Sequence, residues 1–194
     1  PWNGLRLSVN ILIDEFALDE EHISGIDTTE SVNNYAYQTR LAYSNRLLDC
    51  LTTFDLRYTF VSTYALRHEK GANNFVSRGL PLGTDIGSDG DQCQLGFRLV
   101  TPLRMITDFH IGQKRSGVNN LLNNLYEPSG EIEAVAFPSG NVEVTKFIKW
   151  DLTWSIKNNI YLKVRAQKAD SNIIGNQDYI ILSLEAFWPT YFEL

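Results

Sequence analysis

Apolar and polar residues alternate along this chain with a period of two, in stretches separated by turn-forming residues. In residues 5–14, Leu5, Leu7, Val9, Ile11 and Ile13 are apolar, and the positions between them, Leu12 apart, are polar. Successive side chains of a strand point to opposite faces, so this spacing predicts a β-strand with one apolar and one polar face. Residues 35–43 set Tyr35, Tyr37, Leu41 and Tyr43 against Gln38 and Arg40, and residues 54–60 set Phe54, Leu56, Tyr58 and Phe60 against Asp55, Arg57 and Thr59. Cys93, Leu95, Phe97 and Leu99 share one face, and a weaker run covers 104–112. Val142, Val144, Ile148, Trp150, Leu152, Trp154 and Ile156 form a long apolar edge broken only by Lys146, and residues 160–166 and 180–186 repeat the scheme. No helical apolar period competes with these eight stretches.

The second face is charged as well as polar. It carries Arg6, Asp14, Asp55, Arg57, Arg98, Lys149, Asp151, Lys163 and Arg165, which must meet water or compensating charge. Such a sheet either faces bulk solvent or lines a wet lumen. Its connections narrow the choice. Short links at 45–50, 101–103 and 157–159 alternate with long ones at 15–34, 65–91 and 114–141, and the last, 169–176, is modest. In an antiparallel meander alternate links lie at the same end, so one rim has tight turns and the other large loops, as in outer-membrane barrels. The expected fold is all-β, an antiparallel up-and-down transmembrane β-barrel. Leu95, Phe97, Trp150, Leu152, Leu162 and Leu182 are expected to face lipid, and Arg57, Arg98, Asp151, Lys163 and Arg165 the lumen.

Composition fits this reading. The 194-residue chain has a formal charge of −6 and no Arg/Lys cluster, which argues against a nucleic-acid partner. Its mean hydropathy of −0.20 and the lack of an apolar run of about 18 residues exclude a spanning helix, but not a barrel, whose lipid face uses every second residue. Aromatic residues make up 12% of the chain, which suits interfacial girdles and equally a soluble β core. Cys50 beside a short turn and Cys93 near a long loop fall at opposite rims, so two free thiols are expected. The chain enters a strand almost directly from Pro1-Trp2-Asn3, which reads as an excised or processed beginning.

Two stretches carry a resemblance. Residues 54–59 (Phe-Asp-Leu-Arg-Tyr-Thr) are followed by 73–83 (Asn-Asn-Phe-Val-Ser-Arg-Gly-Leu-Pro-Leu-Gly) and 86–91 (Ile-Gly-Ser-Asp-Gly-Asp), and earlier comes Leu12-Ile13-Asp14-Glu15-Phe16. This resembles the capsule-assembly Wzi-like family of outer-membrane β-barrels, which read strand, Asn-rich loop, Arg-Gly-x-Pro-Leu-Gly-His-x-Leu/Ile-Gly-Pro-Asp-Ala-Asp, strand. Residues beyond Gly112 match only as generic barrel strands. Thr84-Asp85 stands where the family has His-Pro, and Ser88 and Gly90 where it has Pro and Ala. The resemblance implies a barrel of about 18 strands, of which this chain is the C-terminal part, acting in polysaccharide assembly or attachment without catalysis. Phe192 and Leu194 alternate as a terminal strand does, though Pro189 interrupts the run before them.

Within the loop motif Arg78, Gly79, Pro81, Leu82, Gly83, Gly87, Asp89 and Asp91, the glycines permit positive φ and Pro81 fixes a dihedral, so a compact segment folded into the lumen is expected. Asp85, Asp89 and Asp91 lack an EF-hand register and read as a solvated acidic loop capping turns rather than a metal site. Asp108 and His110 share a strand face and read as a polar lumen pair; no nucleophile elbow, phosphate loop or His-x-x-x-His occurs, and no enzyme activity or cofactor is expected. The expected partners are outer-membrane lipid and a surface polysaccharide, with Tyr35, Tyr64, Phe75 and Arg78 as candidate saccharide contacts; Tyr35 and Tyr64 serve equally as interface anchors. A diffusion channel and a soluble lipocalin-like binder with the apolar face inside are the alternatives.

Overall fold

A computed structural model describes residues 3–15, 34–63, 65–66, 76–77, 80–81, 85–120 and 136–187. Among them there is no helix. The strands are β1 (Leu5–Glu15), β2 (Asn34–Leu47), β3 (Cys50–Val61), the two-residue β4 (Val76–Ser77) and β5 (Leu80–Pro81), then β6 (Gly90–Val100), β7 (Met105–Ser116), β8 (Glu143–Lys157), β9 (Ile160–Ser171) and β10 (Gly175–Ala186). Eight of them form one sheet in the order β1-β2-β3-β6-β7-β8-β9-β10, and β4 pairs with β5 alone. Every pairing is antiparallel and, β4 and β5 aside, each long strand lies beside its neighbour in the chain. The sheet is therefore an up-and-down meander, and it is open, with β1 and β10 at its edges.

Two connections differ from expectation. The weak run at 104–112 is a full strand that continues to Ser116, while Arg104 belongs to the preceding turn with φ of 60°. The last link is also a tight turn, because β9 runs on to Ser171 and β10 starts at Gly175, whose φ of 83° suits glycine. Asn172 closes this turn: its side chain accepts from Val144 N–H (2.8 Å) and donates to Val142 O (3.1 Å). The alternation of short and long links thus ends before β10. Cys50, at the tight-turn end, and Cys93, toward the long-loop end, are both free.

The two faces have opposite character. Leu7 and Leu182 are each 69% exposed on the apolar face, where Leu95 and Trp150 also stand open. Asp55, Gln92 and Gln94 on the polar face are buried. One row of paired residues runs from Leu5 through Tyr43, Phe54, Phe97, Phe109, Trp150 and Ala166 to Ile180. It is apolar throughout.

The edge of the apolar band crosses these rows obliquely. Toward the long-loop end the band stops at Ile13, Tyr35, Phe60, Cys93, Ile111, Ile148, Ala166 and Ile180 on successive strands of the sheet; from β6 onward the next residue on that face is Asp91, Gln113, Lys146, Lys168 or Asp178. Ile180 shares the row of Leu5, whereas Ile13 lies about eight residues further along β1, so the edge drifts by that much over seven strand steps. At about 3.3 Å per residue and about 4.8 Å between strands, this is an inclination of roughly 40°. On β8 the band runs from Ile148 to Ile156, which is about 26 Å along the strand and about 21 Å measured across the tilted band. Lys146, the break in the β8 pattern, lies just beyond that edge.

At the long-loop end the polarity of the polar face inverts. Val61, Ala65 and Leu66 are buried together against Ala36, and Ile86, Phe147 and Ala169 are buried as well. Phe147 lies against Gly112, where an added Cβ would come 2.7 Å from its ring, 2.6 Å from the Cys93 carbonyl and 2.8 Å from Gln94 Cβ. Backbone cannot yield cheaply there. Gly112→Ala is expected to cost about 1–3 kcal/mol by overpacking, read as a lower denaturant midpoint; an unchanged midpoint would show that the sheet gives way at this point.

Candidate functional site

The polar face is laced with ion pairs, most of whose partners come from adjacent strands, because cross-strand neighbours on one face lie close enough to meet. Asp55 on β3 accepts from Arg40 Nε at 3.1 Å and lies 3.6 Å from Arg57. Arg98 on β6 grips Asp108 on β7 with two hydrogen bonds, 2.6 and 3.2 Å, so that Asp108 is held by a guanidinium rather than left for its strand-mate His110. Further along the sheet, Arg165 pairs with Asp151 (2.5 Å) and Lys163 with Glu185 (2.7 Å). These pairs meet the demand that the charged face set in the sequence.

Between the pairs lies a cavity of about 350 Å³, walled by Arg40, Asp55, Arg57, Gln92, Gln94 and His110 among others. Its floor is Gly96. An added Cβ there would stand 2.4 Å from Asp55 Oδ1 and 3.0 Å from His110 Nδ1, so only glycine leaves both side chains where they are. Arg98, Asp108 and His110 also line a second cavity of about 560 Å³ that extends over Lys163 and Arg165, and the two form one polar track across the sheet. The segment before β6 folds back over this track: Asp85 reaches Lys149 on β8 at 3.6 Å.

The described part of the loop motif, residues 85–91, packs at the long-loop end. Asp89 is fully buried with φ of 56°, a conformation that Asp tolerates better than most residues. Its Oδ1 accepts from Thr63 Oγ1 (2.9 Å) and Ser139 N–H (3.0 Å), and its Oδ2 from Asn119 N–H (3.1 Å) and the Ser139 hydroxyl. Gly117 N–H donates to the Asp89 carbonyl at 2.8 Å. One carboxylate thereby ties together three connecting segments. Gly87 has φ of 76°, and an added Cβ would meet Asn120 Oδ1 at 2.8 Å; Asn120 Nδ2 donates to the carbonyls of Ile86 (2.9 Å) and Ser88 (2.8 Å). Asp91, already in β6, accepts from Tyr58 Oη (2.9 Å) and from Arg115 through two nitrogens (2.8 and 2.5 Å).

The solvated acidic loop expected from sequence is therefore corrected: Asp89 and Asp91 are buried and bonded, and only Asp85 is exposed. Donors from distant segments fill the lone pairs of Asp89, which fixes its role as a structural knot. No group of three or more His, Cys, Asp or Glu that would hold a metal occurs among the described residues.

Tyr35 stands on β2 rather than in a loop, at the edge of the apolar band, stacked on Phe60 (5.4 Å) and Tyr37 (6.5 Å). Phe137, from the segment before β8, packs on Phe60 at 4.5 Å. This aromatic cluster suits an interfacial anchor. Tyr64, Phe75, Arg78, Gly79, Leu82 and Gly83 lie outside the described residues, and Pro81 is described only as backbone in β5. Thr63, Asn119 and Ser139 entered no motif, since nothing in their spacing signals a meeting with a carboxylate up to 50 positions away, and neither did Asn120, which bonds the Ile86 and Ser88 carbonyls. The chain matches no family model, no curated protein and no solved structure.

Proposed function

We propose that this chain forms part of the wall of an outer-membrane β-barrel that serves surface polysaccharide assembly or attachment and does no chemistry of its own. The observation that carries the membrane part is the inclined apolar band. A tilt of roughly 40° and a height of about 21 Å agree with barrels whose strands lean 35–45° and whose lipid-facing band is about 25 Å tall. The aromatic cluster of Tyr35, Tyr37, Phe60 and Phe137 at its upper edge sits where such barrels carry a girdle. The ion-paired opposite face suits a wet lumen, and a lipocalin-like binder would need the exposed apolar face turned inward. Lipid leaves no strand edge unpaired, so the open edges of β1 and β10 pair with further strands, as a barrel of about 18 strands implies. The polysaccharide part rests on the resemblance of the loop motif, of which Gly87 and Asp89 pack at the long-loop end of the sheet.

Refolding with and without lipid vesicles tests the membrane reading. Strand structure and a protease-protected core are expected only with lipid or detergent, and a monodisperse protein in plain buffer overturns it. The basic groups along the polar track favour a diffusion channel as second reading. Conductance across a planar bilayer, with surface polysaccharide unchanged on deletion, would select it.

A further inference from the structure

Cations outnumber carboxylates on the polar face. Four consecutive hydrogen-bonded rows cross it, those of Arg40 and Arg57, of Arg6 and Lys149, of Arg98 and Arg165, and of Arg46 and Lys163, so each row carries two cations. The same rows hold three carboxylates, Asp55, Asp108 and Asp151. Eight of the chain's 17 Lys and Arg but three of its 23 Asp and Glu therefore gather here, on a chain whose formal charge is −6. Asp85 and Glu185 reach in from neighbouring levels and leave the surplus in place. We infer that this face is a contact surface for an acidic polysaccharide, held by charge along its length and not in a single pocket. The inference deepens the polysaccharide reading and rests on it for the ligand's source.

The build of the pairs decides what the face presents. An Asp carboxylate stands one methylene from the backbone and stays near the sheet, whereas Arg and Lys reach past it toward water. Arg98 is 57% exposed above Asp108 at 18%, and Arg40 is 40% exposed above Asp55 at 5%. Arg57, Arg165 and Lys163 are likewise more exposed than the carboxylates they meet. Lys149 is the exception, and its Asp85 comes from the segment over the track. Arg6 and Arg46 are exposed and in no ion pair among the described residues. The outermost charge is thus positive, and four rows two residues apart extend it over about 20 Å along the strands. An anionic group can meet these cations without displacing the carboxylates beneath them. Each cation is hydrated and partly neutralised, so a single small anion gains little. A polymer with acid groups on many units engages several cations at once and gains through effective concentration. The cavities of about 350 and 560 Å³ that make up the polar track lie along the same rows and give such a chain a continuous bed. On the opposite face, Lys146 and Lys168 beyond the band stand directly across from Asp170 and Asp178, so the charges balance there.

The test uses the full chain refolded in micelles of a non-ionic detergent, titrated with polygalacturonate, dextran sulfate, neutral dextran and monomeric galacturonate, and read by calorimetry at about 50 and about 200 mM salt. Both polyanions are expected to bind at least about tenfold tighter than dextran or the monomer, and to lose at least about tenfold in affinity over that rise in salt. Arg98→Gln combined with Arg165→Gln should weaken both polyanions at least about tenfold. Arg46→Gln, which breaks no ion pair and so guards against a folding artefact, should weaken them and make the salt dependence shallower. Lys146→Gln combined with Lys168→Gln, on the opposite face, should leave binding unchanged. No binding of either polyanion, binding of one alone, dextran or the monomer as good as the polyanions, affinity indifferent to salt, equal loss from the two double variants, or a DNA oligonucleotide bound about tenfold tighter than polygalacturonate would each overturn the surface. A surface polysaccharide that cells retain in full with the Arg98→Gln, Arg165→Gln protein would also overturn it, by locating recognition elsewhere, and would leave the polysaccharide reading standing.

Discussion

Leu56→Arg is expected to destabilise the protein in a lipid bilayer by about 2–4 kcal/mol, and Ile148→Arg by about 1 kcal/mol or less. Leu56 pairs with Leu95, Leu95 with Ile111 and Ile111 with Ile148, so the two residues occupy one hydrogen-bonded row. They are almost equally exposed, 44% and 41%. Only depth separates them. On β3 the band continues past Leu56 to Tyr58 and Phe60, whereas on β8 the residue beyond Ile148 is Lys146. If the band is a tilted membrane slab, Leu56 lies well inside the hydrocarbon and an arginine at 148 snorkels to the interface. Denaturant unfolding of both variants in vesicles measures the difference. Equal large costs would mean that the slab follows the hydrogen-bond rows and the strands are not tilted; no cost in either would mean that this face does not meet lipid.

The strands were legible because a sheet with unlike faces writes a period of two into the chain, and each of the eight stretches that shows the period pairs in the structure. The tilt was not legible from any single strand. It emerges only when register places Ile180 level with Leu5, and register is a property of pairs. Lys146 and Phe147 show the same limit. In sequence Lys146 alone is a break in the β8 alternation; in the sheet the two mark the level where the apolar band ends on one face and a small apolar core begins on the other.

The site was less legible than the sheet. The polar-face residues could be assigned by parity, and Arg57, Arg98, Asp151, Lys163 and Arg165 do share that face. Which cation meets which carboxylate depends on neighbours brought together by register, and Arg98 takes Asp108 from a strand that looked weak in sequence. Glycines misled in a similar way. Those of the loop motif drew notice for conformational freedom, but Gly96 matters for the space it leaves between Asp55 and His110, which only the cross-strand geometry reveals.

Asp89→Asn is expected to loosen the long-loop end by about 2–4 kcal/mol while leaving the sheet intact. Asparagine tolerates the positive φ of this position and nearly matches aspartate in shape, so the substitution isolates the loss of acceptors. One amide oxygen can still serve two donors, but the amide NH₂ then faces the other two. Either Thr63 Oγ1 and Ser139 N–H lose their acceptor in a buried place, or the Ser139 hydroxyl does and Asn119 N–H then depends on its other acceptor, Ser139 Oγ. Ser139→Ala removes one donor to the carboxylate and one of the two acceptors of Asn119 N–H, keeps the carboxylate, and should cost about 1 kcal/mol. Hydrogen exchange resolves where the effect falls, because Gly117 N–H bonds to the Asp89 carbonyl and Val118 N–H to the Ser139 carbonyl. Exchange at these two amides should rise on the order of a hundredfold in Asp89→Asn, with little change at Phe54 and Phe97 in mid-sheet. Unchanged exchange at Gly117 and Val118 would mean that the carboxylate is not the knot, and equal acceleration at Phe97 would mean that the loops and the sheet unfold as one unit.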